Sequence, residues 1–365
     1  MSEGTSLARV HGPRAVLLGV LIVLLSLPVG ACAQPTQRTG AAPAPGAASA
    51  PAAATAPAAS PAQGTVAVLL KNLVNPYFVN MQRGAEMAGK QLNVQVRTLA
   101  PSKPDNVEEQ IQLLESVVQA RVDAIVLVPV DSNALVPAVN AAKSGGIPVF
   151  TADTRLIGTE VMTFVGTDHV TLAKLAAQHV VDWANRTRNG RANVLVLEGV
   201  PGASSTVERG IGFKQVFDAT PNITVLAAQT ANYNRVQAAN VTENLLTRHP
   251  NADVVLAMND EMALGAIEAI KARGKTPNRD IYVVGINAAA NAIEAMEKGE
   301  LAATVYANEY CMAWKSVELA VAYVRNGTPP PPEVTLSLAV LVTPDNLAQF
   351  KALREQQAAG AECKE

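Results

Sequence analysis

The sequence predicts a two-lobed α/β protein built on parallel sheets. Three observations lead there. Short, wholly apolar runs alternate with amphipathic segments from about residue 65 onward. The alternation restarts near residue 170. A composition that is 49% hydrophobic and 16% charged over 365 residues supplies enough apolar surface for two cores. The charge balance, 29 Lys+Arg against 31 Asp+Glu, carries no basic excess of the kind a nucleic-acid binder needs.

The N-terminus reads as an address. Arg9, His11 and Arg14 precede Ala15 to Leu27, thirteen apolar or small residues. Spanning ~30 Å of hydrocarbon takes about 20 residues, so this run has the length of an export-signal core. Pro28 ends it and Val29-Gly30-Ala31-Cys32 follows, a tetrad that resembles a bacterial lipobox. Residues 1–31 are therefore expected to be a lipoprotein signal peptide, with Cys32 acylated and anchored to the outer face of a cell membrane. Of residues 33–64, fourteen are Ala and six are Pro. Those prolines stop helix propagation. Residues 32–64 read as a tether reaching at most ~100 Å, at about 3.1 Å per residue.

The body follows element by element. Val66 to Leu70 is a short apolar run, as a buried parallel strand requires. Pro76, after Asn75, opens a helix to about Gln91. A strand at Val94–Val96 precedes a helix over Asn106–Gln119, with Val107, Ile111, Leu114 and Val118 on one face. Ala124–Val128 is a strand, Asn133–Lys143 a helix stopped by Gly145-Gly146, and Ile147–Phe150 and Val161–Val165 are strands. The second series runs helix Leu172–Trp183, strand Asn193–Leu197, helix Arg209–Phe217, strand Thr224–Leu226 and helix Val236–Arg248. It continues with strand Asp253–Ala257, helix Glu261–Ala272, strand Ile281–Gly285 and a helix through Lys298.

In open parallel sheets ligands bind beyond the carboxyl ends of the strands. Lys71, Asn75, Tyr77 and Phe78 follow the first strand, and Asp153 and Arg155 follow the fourth. In the second series the positions hold Glu198, the loop Gly199–Ser205, Arg209, Tyr233, Asn259 and Asn287. Planar Asp, Asn and Arg groups suit adjacent hydroxyls, which both donate and accept, and aromatic rings suit C–H faces. That mixture points to carbohydrate. Asn and Asp also cap helices, which accounts for single positions better than for the set.

These residues resemble the ribose-binding type of periplasmic protein over about residues 65–350. The likeness lies in Asn75-Pro-Tyr-Phe-Val79, Val128-Pro-Val-Asp-Ser132, Ile147–Asp153, Glu208–Phe213, Asn244–Pro250, Asn259–Ala266 and Leu301–Thr304. The resemblance implies two Rossmann-like lobes with three hinge crossings, near Thr167–His169, Ala307–Asn308 and Ser337–Ala339. One lobe would comprise 65–167 with 308–337, the other 168–307 with 338–352, leaving 353–365 as a tail. It implies a monomer that clamps a monosaccharide or polyol and delivers it to an ABC permease with its ATPase, without a cofactor. Asn75, Tyr77, Phe78, Asp153, Arg209, Tyr233 and Asn259 match family ligand positions. Lys71 stands where ribose binders have a small polar residue, Thr154 replaces an arginine beside which Arg155 stands, Asn287 replaces an aspartate, and Ala307 replaces a glutamine next to Asn308.

Lys71 is expected to be neutralised either by Asp131 or Asp153, leaving a neutral ligand, or by a sugar acid. A ligand sensor or autoinducer receptor of the same fold is a second reading. A carbohydrate-acting enzyme using Asp153 with Glu198 is a third, although no G-x-S-x-G, H-E-x-x-H or Walker loop occurs. The four histidines are scattered, and a metal site is not expected. Cys311 and Cys363, exported to an oxidising compartment, are expected to pair.

Overall fold

The computed structural model describes residues 64–359 and Cys363. The expected signal peptide, Cys32 and the tether, Gly64 apart, lie outside the described residues. The first series comprises β1 (Thr65–Leu69), α1 (Pro76–Gln91), β2 (Gln95–Leu99), α2 (Val107–Gln119), β3 (Ala124–Leu127), α3 (Val136–Ser144), β4 (Val149–Ala152) and β5 (Phe164–Gly166). The second comprises α4 (His169–Thr187), β6 (Ala192–Glu198), α5 (Ser204–Asp218), β7 (Ile223–Thr230), α6 (Arg235–Arg248), β8 (Val254–Ala257), α7 (Asp260–Ala272), β9 (Tyr282–Val284) and α8 (Ala290–Glu297). The chain closes with β10 (Thr304–Tyr306), α9 (Glu309–Asn326), β11 (Glu333–Thr335), β12 (Val340–Val342) and α10 (Leu347–Ala358).

Two parallel sheets result, ordered β11-β5-β4-β3-β1-β2 and β7-β6-β8-β9, with β10 and β12 forming an antiparallel pair. Val66–Leu69 and Ala124–Leu127 are buried because helices cover both faces of the first sheet. The chain passes between lobes after β5, after β10 and after β11. After the second passage α9 returns to the first lobe and lies against α1. Gly84 permits that approach, since a Cβ there would stand 2.1 Å from the Tyr310 carbonyl oxygen.

Several boundaries differ from the sequence expectation. β4 begins at Val149 rather than Ile147, because Pro148 has no N–H for the ladder. The α4 helix starts at His169, three residues early, because Asp168 caps it by accepting from Thr171 N at 3.0 Å. Helix α5 starts at Ser204, five residues before the expected Arg209, although Ala203 offers it no side-chain cap. Strand β7 is longer than Thr224–Leu226 and absorbs a register shift opposite Val194/Leu195. The first six residues of the expected tail, 353–358, continue α10, which buries Phe350 and Gln357, with the Phe350 ring edge-on to Tyr306 at 5.2 Å. Cys311 and Cys363 are joined by a disulfide, the pairing expected from export, and it ties Cys363 to α9.

Candidate functional site

A pocket of about 270 Å³ lies between the lobes, lined by Lys71, Asn75, Tyr77, Phe78, Asp153, Ser205, Arg209, Tyr233, Asn259 and Asn287. Two roomier hollows, of about 750 and 1080 Å³, lie elsewhere on the surface. The smaller one is the candidate because buried charged and amide groups from both lobes converge on it at the strand ends.

Helix starts build one part of each wall. Asn75 caps α1, its Oδ1 accepting from Tyr77 N at 3.0 Å. Asn259 caps α7, its Oδ1 accepting from Met262 N at 2.9 Å. Capping and pocket lining therefore coincide at these two residues: the cap consumes the oxygen, and the Asn259 amide nitrogen donates to the Tyr233 carbonyl at 3.4 Å. Pro76 presets the first turn of α1, placing Tyr77 and Phe78 edge-to-face at 5.2 Å.

Asp153 is the electrostatic centre of the first lobe. It stands in the left-handed region at φ 61°, which turns its side chain out of the strand direction. Its Oδ1 accepts from Tyr77 Oη at 2.7 Å, and its Oδ2 accepts from Thr154 Oγ1 at 3.0 Å and lies 3.4 Å from Lys71 Nζ. Lys71 Nζ also donates to Thr154 Oγ1 at 2.7 Å. Lys71 is 2% exposed and Asp153 3%, so the two neutralise each other away from water. Burial alone would raise the Asp153 pKa, but Lys71 first, then His169 and Arg209, hold it down at about 2. Burial and the adjacent Asp153 push the Tyr77 hydroxyl well above its usual range. Asp131 accepts from Asn133 N and Ala134 N instead, and is not the partner of Lys71.

In the second lobe Arg209 is buried, donates from Nη1 to the Met258 carbonyl, and lies 5.7 Å from the centre of the Tyr233 ring. Among the described residues its Nε has no partner, and neither does Asn287 Oδ1. These are a donor and an acceptor left over at the pocket wall. Tyr233 and Asn287 both have positive φ, 55° and 127°. Gly199 leaves room for the Tyr233 ring, which a Cβ would meet at 2.0 Å.

Two expected residues stand apart. Arg155 does not take the place of the arginine replaced by Thr154. Its guanidinium is bound by Glu333 at 2.5 and 3.1 Å and lies over the Phe164 ring at 3.8 Å, outside the pocket lining. Asn308 also lies outside the lining: it sits at φ 54°, and its Oδ1 accepts from Tyr306 Oη at 3.0 Å and from Gln357 Nε2 at 3.1 Å. Glu198, at the end of β6, is not among the lining residues either. Conversely, Thr154 stands out in the sequence only as a replaced arginine and His169 only as a hinge position, yet both are buried beside Asp153. Ser205 was visible only as a member of the Gly199–Ser205 loop; its Oγ lies 3.3 Å from Thr154 Oγ1, across the cleft.

Comparison with known proteins agrees with this fold. A family model described as a periplasmic binding protein domain matches residues 66–328. The ribose import binding protein of Bacillus subtilis is 36% identical over 241 residues, covering 66% of this chain and 75% of that protein. The D-allose-binding periplasmic protein of Escherichia coli is 30% identical over 293 residues, covering 77% and 93%. The Caulobacter myo-inositol binding protein, solved bound to myo-inositol, superposes with a TM-score of 0.72 at 32% identity, covering 82% of this chain and 99% of that one.

Proposed function

This chain belongs to the periplasmic binding protein family, and from that premise we propose that it is the extracytoplasmic solute-binding subunit of an ABC importer, closing its lobes over a neutral monosaccharide or polyol. The observation that carries the neutral ligand is the Lys71–Asp153 pair at 3.4 Å. The pocket's extra cation is compensated from within, so the ligand need not supply an anion. Lys71, Asn75, Tyr77, Phe78, Asp153, Arg209, Tyr233, Asn259 and Asn287 are the proposed contacts, with Ser205 added. Relatives that carry ribose, allose and xylitol in their names support the substrate class. The lobes are proposed as 65–167 with 308–337 and 168–307 with 338–352. The protein acts as a binder without turnover, as a monomer, held to the membrane through lipid on Cys32.

A sugar acid is the second reading, and Arg209 favours it: among the described residues no carboxylate lies within ion-pair distance of its guanidinium. A thermal-shift screen of D-ribose, D-allose, xylitol, myo-inositol and the matching aldonates decides. A ligand at 100 times its Kd stabilises by about 2.7 kcal/mol. Shifts with neutral sugars or polyols are expected; shifts confined to aldonates would transfer the assignment to sugar acids, and turnover of any sugar would replace binding by catalysis.

A further inference from the structure

We propose that His169 is a positioning residue that joins the two ligand-facing charges of the pocket across the hinge. The inference rests on the binding reading above. His169 is the first residue of α4, immediately after the chain leaves the first lobe, and it is fully buried. Its Nε2 lies 2.8 Å from the backbone oxygen of Asp153, and its Nδ1 lies 3.5 Å from Nη2 of Arg209. A carbonyl only accepts and a guanidinium only donates, so the ring must donate from Nε2 and accept at Nδ1. A neutral imidazole does both at once; an imidazolium cannot accept.

The consequences reach both walls. The Asp153 carbonyl is aimed at His169 by the left-handed φ that also swings its carboxylate toward Tyr77. The Arg209 end of the contact occupies Nη2, as the Met258 carbonyl occupies Nη1, and Nε stays without a partner among the described residues. One ring thus sets the spacing between an acid of the first lobe and a base of the second. The ionisable groups facing it are Asp153 after β4, whose Oδ1 is 3.7 Å from Nε2, Arg209 on α5, Lys71 after β1 behind Asp153, and Asp168 beside it in the chain. Burial first, then Arg209, hold the ring's pKa down at about 4, against a partial rise from Asp153. Protonation therefore opposes closure, and opening the lobes relieves that burial.

The test uses the full chain with D-ribose, D-allose and myo-inositol as calorimetric probes, at pH 7 and pH 5. Affinity for the sugar that binds is expected to fall on acidification, by at most about twentyfold if the open form restores an ordinary histidine. His169→Gln keeps a donor for Asp153 and loses the acceptor for Arg209; His169→Asn does the reverse. Both are expected to bind several-fold more weakly at pH 7 and to lose the pH dependence. Variants with wild-type affinity and an unchanged pH profile overturn the proposal. Should a variant fail to fold, or no probe bind, ¹⁵N spectra of the wild-type imidazole decide: a ring protonated at Nε2 alone at pH 7 upholds it, and any other state overturns it. Arg209→Ala separates the two levels. If it leaves affinity intact, the pocket reading fails; if it weakens binding while the His169 variants do not, this proposal fails alone.

Discussion

The hydroxyl oxygen of Ser132, from the first lobe, accepts the backbone N–H of Ser204, from the second, at 2.9 Å. Ser204 is the first residue of α5, whose own N-cap position is Ala203, so the cap is supplied by the other lobe. Ser132 N also donates to Gly202 O at 3.1 Å, and Arg155 N to Ser204 Oγ at 2.9 Å. Opening the cleft breaks this seam. Ser132→Ala should remove about 1 kcal/mol from the closed state, weakening ligand binding about fivefold. Calorimetry shows the loss, and thermal stability of the ligand-free protein should change much less. Equal losses in both would mean the contact stabilises the fold rather than closure.

Arg209→Ala is expected to cost about 2–4 kcal/mol of ligand binding, because it removes a buried charged donor from the pocket centre. It also leaves the Met258 carbonyl and His169 Nδ1 without their partner. Titration with the ligand found by screening measures it, and unchanged affinity would exclude this pocket.

Lys71→Met tests the internal pair. Asp153 then keeps its burial and loses its nearest cation, and breaking a buried pair by removing one partner costs about 3–5 kcal/mol. In the wild type the Asp153 pKa is depressed to about 2 from 3.8, so its contribution is complete above pH 3.8 and is lost as pH falls through about 2. In the variant burial dominates and the pKa rises. Protonation then favours the folded state, and the stability deficit should shrink on acidification from pH 7 to pH 4. Denaturant titrations at both pH values give the sign; a deficit independent of pH would show that the pair is not what compensates Lys71.

The disulfide closes a loop of 52 residues. In the chain-entropy account a loop of that length contributes about 4 kcal/mol by restricting the unfolded chain. Cys311→Ser with Cys363→Ser should lower the melting temperature, and reducing the wild type should reproduce the shift. Two free thiols in denatured, unreduced protein would show that the bond does not form.

Local chemistry determined the architecture and half of the site. The apolar runs at Val66–Leu70 and Ala124–Val128 leave a chain little choice but buried parallel strands, and Asn75-Pro76 and Asn259 mark helix starts beside strand ends wherever they occur. Burial and capping act within a few residues, so sequence position alone reports them. Partnership does not. Arg155 sits two residues after Asp153 in the chain, yet its guanidinium pairs with Glu333, 178 residues away. Thr154, Ser205 and His169 gain their roles from groups far away in the chain that folding brings within 3.5 Å of them. The choice of Asp153 over Asp131 as the counter-ion of Lys71 was likewise tertiary: β3, which precedes Asp131, adjoins β1, yet Asp131 accepts from Asn133 N and Ala134 N while Asp153, after β4, lies 3.4 Å from Lys71 Nζ. Hydrogen bonds and ion pairs decay within a few ångströms, and which side chains come that close is a property of packed lobes, not of neighbouring residues.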